Sequence, residues 1–119
     1  MNVLVIDDEK EIREIVSKTL TKAGYDVTST DNVVDAEKLI RSKTWDLVVS
    51  DIMIPHNGGF ELVDCVKDSS NTPVIVMTGM DQDVLQATLN RADHILPKPF
   101  TSKQLLDIVH KELSPAPKA

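Results

Sequence analysis

The stretch "DLVVSDIMIPHNGG" at residues 46–59 decides the fold. Its apolar run ends in one carboxylate, Asp51, and is followed by the turn residues Pro55, Gly58 and Gly59. A short run of this kind, bounded by turn signals, predicts a strand buried on both faces. Such a strand delivers a single acid to a loop, and the rest of the chain has to say why.

Outward from this stretch the pattern repeats. "VLVI" (3–6), "DVTST" (26–30), "VIVM" (74–77) and "HIL" (94–96) are short, mostly β-branched and bounded by turn or charge signals, like "LVVS" (47–50). All five read as buried strands. Between them Ile12, Ile15, Val16, Thr19, Leu20 and Ala23 follow helical spacing and stop at Gly24, a good helix end. Ala36, Leu39 and Ile40 make a second helix, with Asp31 or Asn32 as its cap. Further helices are predicted from about Gly58 to Lys67, from Asp81 to Arg91, and from Thr101, where "TSKQ" fits a capping box, to Leu113. Five strands alternating with five helices predict an α/β fold, a doubly wound (βα)5 parallel sheet with helices on both faces.

At 119 residues there is room for one domain with a real core. Residues 1–114 are read as that domain and 115–119 as a flexible tail or the start of a linker. No apolar run approaches the ~20 residues of a membrane span, and nothing after Met1 reads as a secretory signal, so a cytoplasmic location is expected. The lone Cys65 falls in a helical apolar pattern and reads as a packed side chain. A net charge of −6 argues against a direct nucleic-acid or anionic-membrane partner and in favour of metal cations or protein.

In a doubly wound sheet the functional groups gather beyond the carboxyl ends of the strands, where strand order reverses. Strand 1 ends at Asp7 and Asp8, strand 3 at Asp51, strand 4 at Thr78, and strand 5 just before Lys98. Three carboxylates this close repel one another, and a cation relieves that repulsion. The hard oxygen set suits Mg²⁺, which keeps several waters and takes one or two carboxylates plus a phosphate oxygen. Lys98 adds a point charge, and Thr78 a hydroxyl donor, for such an oxygen. Together they make a site for phosphoryl transfer, with Asp51 as nucleophile. Plainer readings exist for each residue alone. Asp7 or Asp8 would cap helix 1, Thr78 would be a turn hydroxyl, and Lys98 a solvated lysine. His56 reads as a solvated loop residue; Glu9 reads as a further member of the acidic pocket or only as a first-turn charge favouring the helix dipole, the second being preferred.

"VLVIDDE" (3–9), "DLVVSDIMIP" (46–55) with Gly58 and Gly59, "VIVMTG" (74–79) and "LPKPF" (96–100) together resemble the receiver domain of two-component response regulators, of the chemotaxis-regulator type. The resemblance implies the flavodoxin-like strand order 2-1-3-4-5. It implies that Asp51 is the phosphoacceptor, fed by a sensor histidine kinase or histidine phosphotransfer protein. Asp8 would bind Mg²⁺ directly and Asp7 largely through water, with Asp51 and the main-chain carbonyl of Met53 completing the protein ligands. Thr78 would be the switch hydroxyl, Lys98 would pair with the phosphate, and the Lys98-Pro99 bond would be cis. Output would be a downstream protein target or output domain, with a phosphorylation-dependent dimer as a further form. A start methionine and the lack of output sequence favour a stand-alone receiver.

The chain departs from the family in two places. The aromatic residue usual three positions before the lysine is Ile95, beside His94, and the segment from Thr78 to Lys98 is short. Met53 and Met80 are expected to limit the approach of water and lengthen the life of an acyl phosphate. Among rivals, a phosphatase of the haloacid dehalogenase type needs an acid where Met53 stands, and a flavin phosphate would be repelled by "DDEKE" (7–11). The alternative kept is a receiver-fold interaction module that acts without phosphorylation. The chain is not expected to be an enzyme beyond its own phosphorylation and slow dephosphorylation.

Overall fold

The computed structural model describes residues 1–51, 58–79 and 92–113. Met53, His56, Met80, the helix expected over 81–91 and the tail lie outside these residues. Strands β1 (Asn2–Ile6), β2 (Asp26–Thr30), β3 (Leu47–Asp51), β4 (Val74–Thr78) and β5 (His94–Pro97) form one sheet. Helices α1 (Lys10–Lys22), α2 (Val33–Ser42), α3 (Gly58–Ser69) and α4 (Ser102–Leu113) connect or follow them. The strand order is β2-β1-β3-β4-β5, and every described pairing is parallel.

Two cores follow from the period of two along each strand. Leu4, Ile6, Val48, Val74 and Val76 point to one face, where they pack with Ala36 and Ile40 of α2 and Val63 and Val66 of α3. Val3, Val5, Leu47, Val49, Ile75 and Met77 point to the other, against Val16 and Leu20 of α1 and Leu105, Val109 and Leu113 of α4. The central strands β3 and β4 are buried throughout. The edge strand β2 is not: only Thr30 is buried there, because a strand with one neighbour keeps one side in water. The other edge strand, β5, buries only Leu96, so the expectation of five buried strands is corrected for both edges.

The helix ends are local chemistry. Asn32, not Asp31, caps α2, its Oδ1 accepting from Asp35 N at 2.8 Å. Thr101 and Gln104 form the reciprocal capping box of α4: Gln104 N donates to Thr101 Oγ1 at 3.1 Å, and Thr101 N donates to Gln104 Oε1 at 2.8 Å. α1 closes into Gly24, whose φ of +99° lies in the left-handed region that glycine adopts freely. Ile15 of α1 is 53% exposed, so the buried stripe of that helix runs through Val16 and Leu20 and leaves Ile15 outside. Cys65 is half-buried against the first core. Among the described residues no helix is long and apolar enough to cross a membrane.

Candidate functional site

Parallel strands in this order place the reversal between β1 and β3. Ile6 pairs with Ser50, so Asp7 and Asp51 emerge side by side at the carboxyl end of the sheet. Thr78 pairs with Pro97, which brings the next residue, Lys98, to the same end. The Lys98-Pro99 peptide is cis. Register alone therefore gathers residues from four separate segments.

Asp7, Asp51 and Thr78 are buried, whereas Asp8 is exposed. Carboxylate oxygens of Asp7, Asp8 and Asp51 lie within 4.8 Å of one another. Lys98 Nζ stands 3.3 Å from Asp7 Oδ2, 3.3 Å from Asp51 Oδ2 and 3.2 Å from Glu9 Oε1. Asp7 Oδ1 accepts the Glu9 N–H at 2.8 Å. The Arg13 guanidinium donates from Nη1 to the Asp7 carbonyl at 2.9 Å. Ser50 Oγ donates to the Asp51 carbonyl at 3.0 Å, and Lys98 N donates to the Thr78 carbonyl at 2.7 Å.

The electrostatics follow from burial. Desolvation raises the Asp7 carboxyl and Asp51 adds to it, while the Glu9 N–H and Lys98 pull it down; the net effect leaves it at about 6. Burial works against the Lys98 charge, but Asp7 and Asp51, with hydrogen bonds to Glu9 and Asp7, outweigh it and raise the lysine above its ordinary value. An all-oxygen, anionic donor set with one exposed member fits a small hard divalent cation. Neither Asp7 nor Asp8 caps α1; the cap position belongs to Glu9, whose side chain makes no capping bond.

The structure thus brings together Asp7, Asp8, Asp51, Thr78 and Lys98 at one strand-end crevice. Met53 lies outside the described residues. Two further participants join them. Glu9 faces Lys98, so of its two readings the structure favours the member of the acidic pocket and corrects the preferred one, a first-turn charge alone. Arg13 is indistinguishable in sequence from any polar position on α1; its link to the Asp7 carbonyl needs three dimensions.

A doubly wound sheet with an acid cluster, a buried threonine and a lysine at its switch point defines the receiver class of signalling proteins. Residues 3–110 match the response regulator receiver domain family, and the chain belongs to it. Members of the family are in general switches rather than enzymes acting on an outside substrate.

The chain is 33% identical over 116 residues to the DNA-binding transcriptional regulator NtrC of Bradyrhizobium sp. (strain RP501 Parasponia), covering 95% of this chain and 24% of that protein. It is 30% identical to Protein PetR of Rhodobacter capsulatus, covering 99% of this chain and 51% of PetR. It therefore spans between a quarter and a half of these relatives. Among solved structures, the chemotaxis response regulator CheY4 of Vibrio cholerae is 31% identical with a TM-score of 0.86, covering 94% of this chain and 98% of that one. TrrA of Thermotoga maritima, crystallised with Mg(2+)-BeF, is 30% identical with a TM-score of 0.85 over 94% of this chain and 98% of its own.

Proposed function

We propose that this receiver domain takes a phosphoryl group from a phosphohistidine donor onto Asp51 in a Mg²⁺-dependent step. The observation that carries the reading is Lys98 Nζ held 3.3 Å from both Asp7 and Asp51, two buried acids on neighbouring strands. A structural lysine needs one counter-charge, and this one faces a nucleophile and its neighbour at the crevice where the fold binds ligands.

Mg²⁺, when bound, supplies charge neutralisation between the carboxylates and the incoming phosphate. The rest is work for the chain's own residues. Asp8 and Asp51 would hold the ion with their carboxylates, Asp7 through water and Met53 with its main-chain carbonyl. An Asp51 carboxylate oxygen attacks phosphorus in line; the O–P bond forms as the P–N bond to the donor imidazole breaks, and the imidazole keeps the electron pair. Lys98 pairs with a phosphoryl oxygen, and the Thr78 hydroxyl donates to another. That new contact draws Thr78 toward the site and shifts the population between two conformations. The partner read by this shift is a downstream protein, an output domain or a second copy of the chain, and the donor is a sensor kinase or a phosphotransfer protein. The similarity to TrrA, whose structure carries Mg(2+)-BeF, supports the assignment.

Intact mass after incubation with acetyl phosphate tests it, with and without Mg²⁺, for the parent and Asp51→Asn. The expected result is one added phosphoryl group in the parent with Mg²⁺ and none in Asp51→Asn. A folded, Mg²⁺-binding parent that gains nothing would refute the assignment.

A further inference from the structure

Three carboxylates meet one ammonium at the mouth of the pocket, and they are not alike. Asp7 and Asp51 are 0% and 2% exposed and fixed at strand ends. The Glu9 side chain is 62% exposed, stands on a two-carbon stem, and belongs to a cap residue whose side chain makes no capping bond. The contacts to Lys98 Nζ are nearly equal, at 3.2 Å for Glu9 and 3.3 Å for each aspartate. An ammonium has three protons, so these three acceptors match its full capacity. A committed charge-assisted N–H···O contact closes to about 2.7–2.9 Å. Three longer and equal contacts are those of a cation shared among competitors.

A phosphoryl group on Asp51 brings new anionic oxygens to Lys98, and one present acceptor must give way. Asp7 and Asp51 are held by the sheet and have no water to retreat into. Glu9 can swing into solvent, where its charge is fully hydrated and the lost exposed ion pair is cheap.

We propose that Glu9 is a positioning residue, a placeholder anion that holds Lys98 at the pocket mouth and yields its share of the ammonium when a phosphoryl group arrives. The inference rests on the reading of Asp51 as the acceptor. Glu9 acts through Lys98 and touches no reacting atom. Its effect is to make Lys98 available at the cost of a competition that the phosphoryl group has to win. Glu11, two residues on in the first turn of α1, carries the same charge and is not among the ion-pair partners of Lys98.

The test is the affinity of the whole chain for beryllium fluoride in the presence of Mg²⁺, a tetrahedral mimic of a phosphoryl group on a carboxylate, titrated by fluorine NMR. The chains compared are the parent, Glu9→Gln, Glu11→Gln, Lys98→Met and the Glu9→Gln, Lys98→Met double variant. Removing the competitor should tighten the mimic about threefold where Lys98 is present and leave it within about 1.5-fold in the Lys98→Met background, the coupling expected of a contacting, part-exposed pair. Glu11→Gln should match the parent. Equal factors in both backgrounds would reduce Glu9 to general charge and overturn the proposal, as would a Glu9→Gln chain that binds no tighter than the parent. If the Lys98→Met chains bind too weakly to titrate, Glu9→Gln against Glu11→Gln decides, and equal factors overturn it. A parent that takes up no mimic at all would overturn the acceptor reading as well, which separates the two failures.

Discussion

The two ends of the sheet treat charge in opposite ways. At the amino-terminal end the polar groups of Asn2, Asp46, Lys67, Thr72 and Asp93 have matched partners. Lys67 Nζ bonds Asp93 Oδ2 at 2.5 Å and the Thr72 carbonyl at 3.0 Å. The same Asp93 oxygen accepts the Val74 N–H at 2.8 Å. Thr72 Oγ1 donates to the Trp45 carbonyl at 2.9 Å, and Asn2 N donates to Asp46 Oδ2 at 2.7 Å. At the carboxyl-terminal end Asp7, Glu9 and Asp51 share the ammonium of Lys98, and the carboxylate of Asp8 lies beside those of Asp7 and Asp51. The first arrangement is what a fold needs to start its strands without orphaned polar groups. The second is more negative charge than packing requires, and its buried members carry a desolvation penalty. Matched polar groups mark structure here, and mismatched ones mark the site.

The sharpest way to break this contrast is to change the cation that the buried acids share. Lys98→Met should slow Mg²⁺-dependent phosphoryl uptake from acetyl phosphate by about 100-fold, the usual loss when a transition-state charge contact is removed. Uptake at the parent rate would make Lys98 another structural lysine.

Next comes pH. Asp7 titrates at about 6 in the folded chain, above an ordinary carboxyl. Between about pH 4 and 6 the folded state therefore holds a proton that the unfolded chain has released, and stability without metal falls as pH rises through that window. The loss should be on the order of 2 kcal/mol by urea unfolding in EDTA, and Mg²⁺ should reverse it. A flat profile in EDTA would mean that the acid end is not strained.

Lys67→Met sharpens the contrast from the other side. It should cost about 2 kcal/mol of stability by leaving Asp93 without its cation, while phosphoryl uptake stays at the parent rate. The smallest change, Thr72→Val, should cost about 1 kcal/mol in the same unfolding assay through the lost bond to the Trp45 carbonyl, again with uptake unchanged.

Much of this was legible in the sequence, for reasons that differ by element. The strand at 47–51 is unmistakable because burial on both faces leaves only the small Ser50 as a polar interruption before Asp51. The capping box at Thr101 is local chemistry, and the structure reproduces it bond for bond. Convergence of Asp7, Asp51 and Lys98 followed from strand ends and topology alone. Ile15 failed because helical spacing gives a stripe but not its width, and only the packed neighbours decide which edge faces water. The edge character of β2 depends on strand order, which its own five residues do not encode. Arg13 was hidden, and Glu9 was ambiguous between pocket and helix dipole, for a related reason. Each looks like an ordinary first- or second-turn charge on α1, and its partner, Lys98 or the Asp7 carbonyl, is fixed only when β1, α1 and β5 come together.

The central claim is that the acid end keeps its excess charge for a cation. A calorimetric Mg²⁺ titration of the metal-free chain at pH 7, beside Asp7→Asn and Lys67→Met, tests it most directly. One ion should bind per parent chain, with affinity about 10- to 100-fold weaker in Asp7→Asn, as expected when a group that orients the ligand set is removed, and unchanged in Lys67→Met. No binding to the parent, or equal binding to Asp7→Asn, would contradict the account.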